Sequence, residues 1–241
     1  MNKFKLILYE LNEIPRQLID YYIKLRPYSN FSKIVESGFI LNTYTTDEEE
    51  LHPWSTWPTV HRGVDNKIHK IRFINQDLKD AQKFPPIWEI IAKTIIDIGI
   101  FGLLQSYPPK LDKNVSFYLP DTFAPKPCAY PRELEYFQSF NIDLVSQNKA
   151  VAGQFKVKNV LKFLNLLKNR TISLSSAYQA ILHIFKEIVY KKYKTRRSML
   201  QPIIAFDLFF NYLNKSKPSF TTFFTNHLAG MMHRYWIYLF P

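Results

Sequence analysis

Asn226, His227 and His233 lie close together in TNHLAGMMHRYW (residues 225–236), directly after the aromatic run SFTTFF. Imidazoles exchange protons near neutral pH and bind divalent cations, and an amide beside them can both donate and accept hydrogen bonds. Two further polar clusters sit in similar surroundings. Glu10–Glu13 (ELNE) follows the apolar run FKLILY, and Ser55–His61 (STWPTVH) falls in a Pro- and Trp-rich turn that enters a short helix. Polar residues that follow β-rich runs are carried on strand ends, so these three clusters read as the edge of an active site.

Side chains so distant in sequence meet only if a sheet gathers them. Residues 4–9 make a compact apolar run suited to a buried parallel strand. Pro15 then opens a helix with Leu18, Ile19, Tyr22 and Ile23 at helical spacing. Residues 38–46 read as a second strand, leading into an acidic run, Asp47–Glu50, whose simplest reading is a solvated loop. A helix over 85–97, a strand over 98–109, and a strand or loop over 115–123 follow. A helix over 200–218 and a strand over 219–227 close the chain. Alternating strands and helices predict an α/β fold, a largely parallel sheet with helices on both faces and sites at the carboxyl ends of its strands.

Composition narrows the function classes. At 241 residues the chain can bury a full core as one domain, residues 1–241. Six glycines provide no G-x-G-x-x-G or G-x-x-x-x-G-K phosphate loop. The lone Cys128 excludes an internal disulfide framework and a multi-Cys zinc site. The short apolar run at the N-terminus does not resemble a signal peptide, and no stretch of about 18 apolar residues is present, so a cytoplasmic location is expected.

The net charge of +12 is concentrated. Residues 156–200 hold eleven Lys or Arg against one acid, Glu187, and so carry +10 of it. Val157, Val160, Leu161, Leu164 and Leu167 form one helical stripe; Ala177, Ala180, Ile181, Ile184, Phe185 and Ile188 form another. Two basic amphipathic helices are predicted, either core-packed with solvated Lys faces or presenting an electropositive face to an anionic membrane surface or partner. Their aromatic residues lie mostly on the apolar stripes, so nucleic acid is not indicated.

In their order and strand-end placement, the three clusters resemble the alkaline phosphatase superfamily, particularly its phosphodiesterase and nucleotide-pyrophosphatase branch. Thr56-Trp57-Pro58 is similar to its T-x-P nucleophile turn, with Gly63 and His69-Lys70-Ile71 following. TNHLAGMMHRYW is similar to its D-x-x-x-H segment, with three extra residues between Asn226 and His233. The resemblance implies an alkaline-phosphatase-like sheet and a phosphoester hydrolase or transferase with Thr56 as nucleophile. It also implies metal ligands among Asn12, Glu13, Asn226, His227 and His233, and divalent ions, Zn or Mn, as cofactors. A phosphorylated small molecule, lipid or glycan is the implied substrate. On the residues alone, Thr56 reads equally as a helix cap, and Asn12 as a cap for the helix at Pro15.

Two departures from the family pattern shape the expectation. Asn12 and Asn226 stand where the family has Asp, and an amide oxygen brings no charge to a cation. The family's later Asp-His pair and final His have no counterpart, so the chain is expected to be the N-terminal part of such a domain. It would then be inactive alone, or completed by a missing half or a homo-oligomer. The strand over 219–227 is accordingly expected to leave an aromatic edge exposed.

Overall fold

The computed structural model describes residues 5–74, 76–145, 172–190, 192, 193, 196 and 199–239. The first predicted basic helix, residues 157–167, lies outside them. Four strands form one sheet: β1 (Leu6–Leu11), β2 (Ile98–Phe101), β3 (Val115–Leu119) and β4 (Phe220–Thr225). The order is β1-β4-β2-β3, and every pairing is parallel. The helices are α1 (Arg16–Leu25), α2 (Asn30–Ser37), α3 (Pro53–Arg62), α4 (Asn66–His69), α5 (Ile87–Ala92), α6 (Leu134–Val145), α7 (Leu174–Val189), α8 (Leu200–Ser216) and α9 (His227–Leu239). The protein is α/β with a parallel sheet, as its alternating pattern predicts.

The period-two alternation of strand side chains sorts the core into two layers. Phe101, Phe117, Leu119 and Phe223 meet α6, α7 and α8 through Leu134, Phe137, Ala177, Leu208 and Phe209. On the opposite face Ile98, Ile100, Val115, Tyr118, Phe220 and Phe224 meet Trp88 and Ala92 of α5, with Trp57 of α3 against them. Val115 and Tyr118 share a face because β3 carries one extra residue. Ile98 is opposite Val115, yet Gly99 is opposite Phe117. Such a bulge resets the alternation.

Two expectations are corrected. The last strand is no exposed edge: β4 lies between β1 and β2, and Phe223 and Phe224 are buried. β1 and β3 are the edges, and on β1 Leu6, Ile7 and Tyr9 are partly open. The strand predicted over 38–46 does not form, and Phe39, Leu41 and Tyr44 are exposed. Its β-favouring residues have no paired neighbour among the described residues, and propensity without a ladder makes no strand. Among the described residues, no helix is long and apolar enough to cross a membrane.

Gly99 is where the sheet has no room. A Cβ there would lie 2.3 Å from the ring of the fully buried Phe117. Gly99→Ala is expected to cost about 1–3 kcal/mol through overpacking, read as a lower urea midpoint at unchanged slope.

Candidate functional site

β1 and β4 run in register from Leu6 opposite Phe220 to Leu11 opposite Thr225. The ladder continues one step further, because the Asn12 N–H donates to the Thr225 carbonyl at 3.2 Å. The residues that leave the two strands therefore emerge side by side at the carboxyl edge, where parallel sheets place their sites. Glu13 takes a left-handed backbone (φ +58°), a conformation that costs a non-glycine residue roughly 1 kcal/mol.

The polar contacts at this edge can be oriented from chemistry alone. The Trp57 indole N–H can only donate, and it lies 2.7 Å from Asn12 Oδ1. That fixes the buried Asn12 amide with its NH2 pointing the other way, 2.6 Å from Asn226 Oδ1 and 3.3 Å from Glu13 Oε1. Glu13 Oε2 in turn lies 2.8 Å from His233 Nε2 of α9. Asn12, Glu13, Asn226 and His233 are thus joined in one network.

The other two predicted residues face elsewhere. His227 opens α9 and lines a separate groove of about 410 Å3 with Ser176 and Gln179 of α7 and Phe206 and Phe210 of α8. Burial, helped by Arg234, lowers its pKa below the ordinary histidine value. The Thr56 hydroxyl donates to the His52 carbonyl at 3.0 Å, inside a helix that already begins at Pro53. Thr56 is therefore not the cap of α3, and Pro58 lies within that helix rather than at its start. Asn12 caps no helix either: α1 starts after Pro15 without a side-chain cap.

Several contacts that hold this edge are invisible in the spacing of the sequence. Glu10 and His61 are both buried, and His61 Nε2 lies 2.9 and 3.0 Å from the two Glu10 carboxylate oxygens. The His61 ring lies against the indoles of Trp57 and Trp88, and its Nδ1 has no hydrogen-bond partner among the described residues. Asp47 is not a solvated loop residue. It accepts the Thr59 hydroxyl at 2.7 Å and the Asn66 N–H at 2.8 Å. His69 Nδ1 accepts the Ile71 N–H, so in the neutral ring the proton sits on Nε2 and points at Thr59 Oγ1, 2.9 Å away. Burial lowers the His69 pKa and so favours this neutral form. These contacts tie the 47–50 loop to α3 and α4. Only spatial pairing reveals them, since no motif spacing links Glu10 to His61 or Asp47 to Thr59.

Further along the same edge, past β2 and β3, a cavity of about 330 Å3 is lined by Trp54, Gln82, Gln105, Tyr107, Asp121 and Phe123. Burial pushes the Asp121 carboxyl up to about 6, against backbone N–H bonds, Phe123's foremost, that pull it down.

The donors suit a divalent metal pair poorly. The oxygen of Asn12 is taken by an indole N–H and that of Asn226 by the Asn12 amide. Glu13 and His233 remain, two donors where catalytic zinc usually has three from the protein. Among the described residues, no group of three or more His, Cys, Asp or Glu side chains could hold a metal ion.

Trp57→Phe keeps the ring but leaves the buried Asn12 oxygen without its donor. A loss of about 1–3 kcal/mol is expected, measured by chemical unfolding. Asp121 sets a pH dependence. Its folded pKa, about 6, lies above the ordinary 3.8, so the native state keeps a proton that the unfolded chain has already lost in that window. Its contribution to stability therefore falls as pH rises from 3.8 through about 6 and is level above. Asp121→Asn is expected to flatten the slope of melting temperature against pH across that window.

No family model, no curated protein and no solved structure matches this chain.

Proposed function

We propose that this chain is built on the plan of a phosphoester hydrolase, and that in the arrangement described here its carboxyl edge binds a phosphate ester without turning it over. The observation that carries the reading is the parallel register of β1 and β4. It brings Asn12 to Asn226 across 214 residues and Glu13 to His233 across 220. Networks of this kind at the carboxyl end of adjacent parallel strands are where α/β proteins bind ligands. The first turn of α9 starts at the same place, with backbone N–H groups suited to an anion.

Thr56 is the residue that the resemblance of Thr56-Trp57-Pro58 to a T-x-P turn would make the nucleophile. Here its hydroxyl hydrogen is given to the His52 carbonyl. A threonine attacks phosphorus only when a base or a metal takes that proton, and the described contacts provide neither. The Zn or Mn pair that the resemblance implies is matched only by Glu13 and His233, so no step is assigned to it. His233, when protonated, and the amide hydrogens of Asn226, whose oxygen accepts from Asn12, are the groups available to phosphate oxygens.

Inorganic phosphate and a nitrophenyl phosphodiester, titrated into the full chain while indole fluorescence is followed, test this reading. Saturable binding is expected that weakens at least about tenfold in His233→Ala, the loss of one charge-assisted hydrogen bond. Nitrophenol release at the background rate, unaltered by Thr56→Ala, is expected alongside it. Near-stoichiometric Zn or Mn by elemental analysis, with turnover abolished by Thr56→Ala, would replace the binding reading with a catalytic one. Absence of phosphate binding would overturn both.

A further inference from the structure

Leu174, Tyr178, Ile181, Phe185 and Ile188 recur along α7 at steps of four, three, four and three residues. That spacing places them on one seam of a helix. Of the apolar stripe that the sequence gives this helix, Ala177 and Ala180 pack fully inward, Ile184 is half-buried, and Ile181, Phe185 and Ile188 are exposed. Ser176, Ala177, Ala180 and Glu187 are buried, with Ala177 in the core beneath α8. The large side chains point outward: Leu174 is 85% exposed, Tyr178 66%, Ile181 57%, Phe185 61% and Ile188 77%. Five large apolar side chains in a row of about 20 Å are more than the scattered single residues expected on a soluble surface.

The charge around this seam indicates what covers it. In sequence α7 is followed by YKKYKTRR (residues 190–197), with five Lys or Arg and no acid. Lys186 and Arg196 both lie over the Tyr193 ring, 5.8 and 5.5 Å from its centre. Glu187, the one acid of the basic window, is buried 3.1 Å from His183 Nε2. The outward face of α7 therefore presents apolar bulk and Tyr178, with Lys186 at its margin and its acid withdrawn. A second copy of the chain seated in parallel would set these cations against each other, and nucleic acid would gain little from an aliphatic seam.

We propose that the outward face of α7 is an interfacial docking surface for an anionic lipid bilayer. Its apolar seam lies among the acyl chains and headgroups, and the cations at its C-terminal end contact lipid phosphates and carboxylates. A helix with apolar residues on one side and basic residues at its margin lies in the plane of the interface. Anionic lipid adds attraction for each Lys or Arg near the surface. The inference rests on α7 alone and is independent of the phosphoester reading.

Co-sedimentation of the full chain with phosphatidylcholine vesicles, with and without phosphatidylserine, tests it. Binding is expected with phosphatidylserine, decreasing as salt is raised. Lys186→Gln with Arg196→Gln is expected to weaken it about thirtyfold. Ile181→Glu with Phe185→Glu, at exposed positions that leave the fold intact by circular dichroism, is expected to abolish it. Equal binding to neutral vesicles, or no vesicle binding, would overturn the proposal. So would a dimer in sedimentation equilibrium that the Ile181/Phe185 variant dissolves, because the seam would then be covered by a second copy.

Discussion

The pairing of β1 with β4 is the contact on which the carboxyl edge depends, because Asn12 and Asn226 are 214 residues apart and have no other reason to meet. Closing so long a loop costs entropy that grows only slowly with length, and the apolar ladder beneath offsets it. Phe223 stacks on Tyr9 and Phe101 at 5.1 and 5.6 Å, locking β4 between its neighbours. Register follows from the same packing. A slip of one residue would turn Phe223 out of its layer and bring Thr222, now facing the other side, into it. The positions of Asn12, Glu13 and Asn226 are thus set by aromatic side chains several residues away.

Trp57 links that packing to the chemistry of the edge. Its ring lies against Phe224 in one core layer, 5.4 Å between centroids, while its N–H decides which way the Asn12 amide faces. A buried amide oxygen must accept a hydrogen bond or ligate a cation, and here the indole has claimed it. The same orientation spends the Asn226 oxygen on Asn12. In this way a hydrophobic contact, one step removed from the polar residues, turns a possible ligand set into a hydrogen-bond network. An Asp at position 12 would face the indole with a charge and retain lone pairs for a cation, so the amide and the indole suit each other.

The sequence made β1, the helix entered at the Pro-Trp turn, the strand at Ile98 and the strand ending at Thr225 readable, because each is a short apolar run bounded by Pro or polar residues. The gathering of Asn12, Glu13 and Asn226 was readable to the same degree, since strand ends are where a parallel sheet collects polar residues. His233 instead reaches Glu13 from α9, a helix not predicted from the sequence. Strand order was not: nothing local states that β4 enters between β1 and β2. The separation of His227 from its neighbours was equally hidden, because Asn226 ends the strand path while His227 already belongs to a helix that turns it toward α7 and α8. The Glu10–His61 and Asp47–Thr59–His69 contacts depend on where α3 lies against the sheet edge and its loop. Periodicity carries no information about that.

Helix α7 shows how far periodicity can mislead even when the element is right. A stripe of Ala177, Ala180, Ile181, Ile184, Phe185 and Ile188 looks like a core face, but it is wider than the strip one neighbouring helix can cover. The small residues win the inner side because α8 presents Ile204, Leu208 and Phe209 there, and bulk against bulk would hold the helices apart. Alanine lets the two backbones come close at little cost in side-chain entropy. The larger residues Ile181, Phe185 and Ile188 are then left at the rim, with more than half of each residue exposed. Burying Glu187 beside His183 on the inner side follows from the same rotation. One choice of packing face therefore produces both the apolar seam and its freedom from acidic charge.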